Sequence, residues 1–352
     1  MSKNQTLSYF VIGLPVYPRR QAQAGTLTFF GYLIFKFFWI FPAPRCAGLY
    51  TIFMLKTALK YTQSVFFILT WVFIAYFLYA NKNIVISFLN VKNPILLVLS
   101  LFLLFPSFWF QYKSREVLVK SLKLAIDSPT QLYILAHNGL LKYVPGGIWN
   151  QLDAVVMLNK NSQASMSRST KLIFVEMFWR IAFGIIFFGP FMAAPLIALL
   201  LPTSFSYVWA YLIVCLGAGL SFYILRRYPL FYVYSISSFI RLALYNLAFW
   251  IVTGFSFALL LYAYTAAHFT IGQFLYVSAS YVISWIGGFL FLPAPSGLGI
   301  REYLLGIFLE HIEETFIIGF SLSLVQRFLT LIRDVVVFGF SWYCMKNDKK
   351  TT

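Results

Sequence analysis

The sequence predicts an all-α, polytopic integral membrane protein. It reads as an inverted repeat with about three spans and one re-entrant broken hairpin in each half. Three observations carry this expectation: an apolar, charge-poor composition, apolar runs of near-spanning length between basic segments, and two proline–glycine breaks at matching places.

Of the 352 residues, 61% are apolar and 11% charged, against about half and about a quarter in a soluble domain. Aromatic residues make up 20%, and the mean hydropathy is +0.79. These values exclude an ordinary soluble enzyme, a disordered chain and a disulfide-stapled module. A net charge of +17 would point to nucleic acid in a soluble protein. Here most Lys and Arg flank apolar runs, where they hold loops in the cytoplasm and meet anionic headgroups. No nucleic-acid partner is expected. Cys46, Cys215 and Cys344 show no metal or disulfide spacing. His137, His268 and His311 are equally scattered, and His137 reads as a hydrogen-bonded helix residue. No metal, cofactor or catalytic motif is expected.

Residues 1–55 read as an N-terminal extension. Its apolar stretch at 26–41 is interrupted by Lys36 and followed by Pro42 and Pro44, which fits an interfacial helix or an extra transmembrane segment. It lacks a signal-peptide cleavage pattern. Met54 opens a basic stretch directly before a span at 61–80, a second place at which the mature core could begin. Further spans are expected at 93–110, 172–195, 207–225 and 239–262, near the roughly 20 residues that cross a bilayer, and in the longer apolar run 315–344. Basic loops are expected at 111–127 (Lys113, Arg115, Lys120, Lys123) and 160–171 (Lys160, Arg168, Lys171). The stretch 128–158 is broken at Pro145-Gly146-Gly147. The stretch 273–309 is broken from Pro293 to Gly299 and leads into an acidic loop with Glu310, Glu313 and Glu314.

Pro145 and Pro295 lie 150 positions apart, and the same shift brings Gly147 onto Gly297, Val175 onto Val325 and Phe178 onto Phe328. The repeats are then 56–205 and 206–345, with a basic tail at 346–352. The positive-inside rule places the basic segments and the C-terminus in the cytoplasm. The uncharged loops at 196–206 and 263–272 and the acidic loop fall outside, as does 81–92 by alternation. The expected location is the inner (cytoplasmic) membrane. Three spans per half is an odd number, so the second half is upside down. Broken hairpins at matching positions of inverted halves point to a transporter's binding site.

The first break, within Lys142-Tyr-Val-Pro145-Gly146-Gly147-Ile-Trp149, should stop a helix and bare backbone N–H groups suited to a phosphate. A packing kink is the plainer alternative. In the second, Pro295-Ser-Gly297-Leu-Gly299-Ile-Arg301-Glu302, the glutamate can cap the following half-helix, line a polar cavity, or clamp Arg301 toward a phosphate. Glu176 and Arg180 stand i, i+4 and can pair. Arg327 has no acidic neighbour on its own helix face. It needs a partner from another helix or an anionic ligand, and Glu176 is the attractive partner.

These motifs, followed in order by Glu176 and Arg327, resemble the lysylphosphatidylglycerol synthase transmembrane-region family, the flippase-type membrane half of bacterial multiple-peptide-resistance proteins. The resemblance covers roughly residues 56–345. The family often shows Glu-Arg where this chain has Glu176-Met177, with the nearest arginine at Arg180. The resemblance implies movement of a lipid between leaflets, with membrane lipids as partners: an anionic phospholipid or a polyprenyl-phosphate-linked glycan. It does not imply aminoacyl transfer, which belongs to a separate soluble domain in the fused proteins.

The expected function is therefore a lipid flippase rather than an enzyme. Its site would comprise Lys142, Pro145, Gly146, Gly147, Glu176, Arg180, Pro295, Gly297, Gly299, Arg301, Glu302 and Arg327, with an envelope-biosynthesis enzyme as a further possible partner. The alternatives are an integral-membrane glycosyltransferase or its accessory subunit, which would need carboxylates in an aqueous loop, and a small-solute or ion transporter. The basic intramembrane residues argue against a cation as substrate.

Overall fold

The computed structural model describes residues 79, 91–143, 149–162, 165–200, 235–265, 270–291, 297–310, 312 and 315–351. The N-terminal extension, the spans at 61–80 (Tyr79 excepted) and 207–225, and the site positions Pro145, Gly146, Gly147 and Pro295 lie outside the described residues.

The described chain is helical throughout, in the order α1 (Pro94–Ser121), α2 (Ser128–Leu141), α3 (Trp149–Ser162), α4 (Met166–Leu200), α5 (Ile236–Thr265), α6 (Ile271–Leu290), α7 (Ile300–Glu310) and α8 (Phe316–Thr351). Local chemistry sets several starts. Asn93 caps α1 ahead of Pro94, and the Asp127 carboxylate accepts the Thr130 N–H at 2.9 Å to cap α2. Thr270 and Gln273 form a capping box at α6. Each such cap contributes about 1 kcal/mol by satisfying an orphan N–H.

Five helices among the described residues are long and apolar enough to cross a membrane: α1, α4, α5, α6 and α8. Four of them answer to the expected spans at 93–110, 172–195, 239–262 and 315–344. The fifth, α6, was expected as one arm of a re-entrant hairpin. It has 20 residues against 14 in α2, or about 30 Å against about 21 Å at 1.5 Å per residue. The first arm of the second hairpin is thus long enough to traverse the hydrocarbon, whereas that of the first is not.

Two expected polar segments are also helical. The basic loop at 111–127 does not begin until Leu122, because α1 runs through Lys113, Arg115 and Lys120. No helix breaker intervenes, and Lys113 and Lys120 pair with Glu116 at 2.8 and 2.6 Å along the same helix. The basic tail likewise continues α8 to Thr351.

Helices α1 and α5 form the most extensive packing among the described elements, and they run antiparallel. The Asn93 N–H donates to the Ala263 carbonyl at 3.0 Å at one end, and Asn246 Nδ2 donates to Ser114 Oγ at 2.9 Å toward the other. Between them Ser100 Oγ donates to the Ser256 carbonyl at 2.7 Å, and Ser256 Oγ to the Ser100 carbonyl at 2.9 Å. Small hydroxyl residues let two backbones approach this closely inside a membrane, where packing and hydrogen bonds replace the hydrophobic drive. One apolar cluster sits toward one end of this seam, with Leu118, Leu158, Leu172, Trp179 and Leu242. A second sits toward the other, with Leu104, Phe257, Leu261, Leu305 and Leu322.

Most of the remaining contacts come in pairs, the exception being α6 on α5, which has no comparable counterpart between α2 and α1 among the described residues. Helix α2 packs on α8 and α6 on α4, α2 on α3 and α6 on α7, and α3 on α4 and α7 on α8. Helix α2 therefore rests on α8, and α6 on both α4 and α5.

Candidate functional site

A cavity of about 170 Å³ opens where these helices converge, and all eight contribute to its lining. Six of the lining side chains are cationic: Arg115, Lys142, Arg180, Arg301, Arg327 and Arg333. Only Glu176 and Asp334 among the lining residues are acidic, with Glu302 directly behind Arg327. Burying charge in low dielectric is costly unless it is paired, and the pairing here follows a definite pattern.

Glu176, 3% exposed on α4, is shared by two arginines. Arg180 reaches it from one turn along, Nη2 to Oε1 at 2.6 Å, and Arg115 reaches across from α1, Nε to Oε2 at 2.8 Å. Asp334, 1% exposed on α8, is shared by Lys142 at 2.7 Å and Arg333 at 2.5 Å. Arg333 Nη1 also donates to Ser107 Oγ on α1 at 3.2 Å, one residue beyond the proline that interrupts α1 at Pro106. The Tyr143 hydroxyl donates to Asp334 Oδ2 at 3.3 Å.

Glu302 is fully buried in the first turn of α7. Its Oε2 accepts the Gly299 N–H at 2.7 Å, the capping role expected of it. Its Oε1 is bonded by Arg327 of α8. The Arg327 partner is thus Glu302 and not Glu176, whose oxygens are already occupied by Arg115 and Arg180. Nor does Glu302 clamp Arg301. That arginine, 7% exposed, lies over the Tyr281 ring at 4.5 Å, in cation–π contact. Its Nε and Nη2 have no hydrogen-bond partner among the described residues.

Backbone geometry fixes the second break. Gly297 and Gly299 adopt φ of +66° and +86°, a region that favours glycine. A Cβ on Gly297 would collide with the backbone of Gly288 on α6, so the two arms touch main chain to main chain. Since Glu302 occupies the Gly299 N–H, the α7 N-terminus is closed by its own side chain.

Among the expected site residues, Lys142, Glu176, Arg180, Arg301 and Arg327 line one cavity, with Glu302 behind it. Gly297 and Gly299 shape the second break beside them. Sequence reasoning missed Arg115, which it assigned to a loop, and left Arg333 and Asp334 unassigned although their position inside an apolar run was visible. His137 is held between helices, with Nδ1 3.3 Å from Asp153 Oδ2 but out of line for a hydrogen bond.

The helix lengths, the apolar exterior and a buried polar centre define an all-α, multi-pass membrane protein. Comparison with known proteins finds no matching family model, no similar curated protein and no similar solved structure.

Proposed function

We propose that this protein moves a phosphate-bearing lipid between the leaflets of the inner membrane. The observation that carries the reading is the cationic cavity: six basic side chains converge on a buried space with three carboxylates to balance them. A lipid headgroup cannot cross hydrocarbon unaided without losing its hydration. A cavity with surplus cations replaces that hydration with fixed donors, and intramembrane charges of this cost are by default functional. The resemblance of the two break motifs to the flippase-type family points the same way.

The reading includes the inverted repeat. Its support is the antiparallel seam of α1 with α5 and the paired contacts of α2–α8 with α4–α6. The same 150-residue shift brings Glu176, which Arg115 of α1 reaches, onto Gln326, which bonds Ser256 of α5. In this arrangement each half supplies one hairpin and one terminal helix to the central cavity, and the C-terminus is cytoplasmic.

The test is translocation in proteoliposomes loaded with labelled phosphatidylglycerol, a labelled neutral lipid or a labelled polyprenyl-phosphate analogue. The readout is the fraction of each label that becomes accessible to an outside quencher. Selective movement of a phosphate-bearing lipid, lost in Arg301→Gln, is the expected result. Folded Arg301→Gln and Arg327→Ala proteins that transport at the wild-type rate would sink the reading.

A further inference from the structure

The charge balance of the cavity bears on how many negative charges the headgroup carries. Six cations meet Glu176, Asp334 and Glu302, a net charge of +3 over these nine described side chains. The rest of the chain offers little to offset it. It has ten Asp and Glu in all, and none lies in 1–90 or 193–234. Glu116 is held by Lys113 and Lys120, Asp127 caps α2, and Asp153 sits beside His137. Glu310 ends α7 on the side away from Glu302, Glu313 and Glu314 follow it in the sequence, and Asp348 lies near the C-terminus.

The unused donors agree with that surplus. Arg115 Nη1, Arg180 Nε, and Arg301 Nε and Nη2 are buried without a partner among the described residues. They come from three different helices, α1, α4 and α7. A phosphodiester brings one negative charge and two unesterified oxygens. A phosphomonoester brings nearly two charges, and a diphosphate ester brings two or three with at least four free oxygens. Charge-assisted bonds to such oxygens are the strong ones, and arginine forks suit them.

Resting on the lipid-transport reading, we propose that the cavity takes a headgroup with two or three negative charges, an isoprenyl diphosphate or a diphosphate-linked lipid, in preference to a singly charged phosphodiester. Bound there, the diphosphate neutralises the surplus and engages donors from both halves at once.

The experiment keeps the tail constant and varies only the charge. Full-length protein in phosphatidylcholine nanodiscs, free of divalent cations, is titrated with geranylgeraniol, geranylgeranyl methyl phosphate, geranylgeranyl phosphate and geranylgeranyl diphosphate. Affinity should rise along that series, with the diphosphate at least about tenfold tighter than the methyl phosphate. In Arg301→Gln the diphosphate should lose most of that advantage while the methyl phosphate changes little. Lys142→Gln, which also lowers the net charge of the cavity by one, repeats the test should Arg301→Gln fail to fold. Equal affinities for the methyl phosphate and the diphosphate, or an advantage unchanged in both folded variants, overturn the charge assignment but leave lipid transport standing. Binding of geranylgeraniol as tight as the diphosphate, or of none of the four, overturns both.

Discussion

Glu302 on α7 and Arg327 on α8 are ion-pair partners, and the same carboxylate accepts the Gly299 N–H at 2.7 Å. One side chain thereby closes the start of a half-helix and ties it to the last helix. Glu302 is fully buried, so removing its partner strands a charge. Arg327→Ala should cost about 3–5 kcal/mol, the usual penalty for breaking a buried pair from one side. The double variant Arg327→Ala/Glu302→Gln should recover part of it. Unfolding of the four proteins in detergent gives the double-mutant cycle, and full additivity would remove the pair as a stabilising unit.

Arg301 behaves oppositely. Among the described residues it holds no carboxylate and keeps two buried donors unpaired. Arg301→Gln should leave thermal stability unchanged or slightly raised while abolishing lipid movement. A large loss of stability would make Arg301 a structural residue.

Asp334 sits between Lys142 and Arg333. Asp334→Asn removes a negative charge from the cavity and releases both cations. The expectation is a protein less stable by about 3–5 kcal/mol that binds anionic lipid more tightly. Parallel thermal-shift and lipid-binding measurements check both directions, and a fall in both would refute the charge argument.

Gly297 is the most constrained position described. Gly297→Ala sets a Cβ against the Gly288 backbone at positive φ. Overpacking alone costs about 1–3 kcal/mol, and here the obstacle is main chain, which cannot swing aside. Yield of monodisperse protein and its melting temperature should both drop. Gly339, with nothing within 4 Å of an added Cβ, is the control, and Gly339→Ala should be silent.

Sidedness is tested with single cysteines in a background lacking Cys46, Cys215 and Cys344. An impermeant thiol reagent should label Thr270→Cys in intact cells, and Lys123→Cys only after permeabilisation. The reverse pattern would invert the assignment made from basic residues.

Local signals in the sequence sufficed for what is local in the structure. Four spans, the i, i+4 pair of Glu176 with Arg180, and the Glu302 cap on its own first turn all involve neighbours in the chain. The partners that shape the cavity are remote: Arg115 lies 61 positions from Glu176, Arg327 25 from Glu302, and Tyr143 191 from Asp334. No spacing rule reaches so far. Arg115 was further disguised by Lys113, Glu116 and Lys120, which make its segment read as a solvated loop. Only the packing of α1 on α4 turns that one arginine inward. The greater length of α6 was hidden for a related reason, since an apolar run ahead of a break reads alike whether it stops midway or crosses.

The seats of α2 on α8 and of α6 on α4 and α5 limit how the helices can part. With α2 seated on α8 and α6 on α4, drawing α1–α4 away from α5–α8 as rigid blocks would tear both seats and shear the reciprocal Ser100–Ser256 clasp. A motion that spares them carries α2 with α8, and α6 with both α4 and α5. The units that travel together would then be composites of segments remote in the chain, α2 with α8 on one side and α4, α5 and α6 on the other.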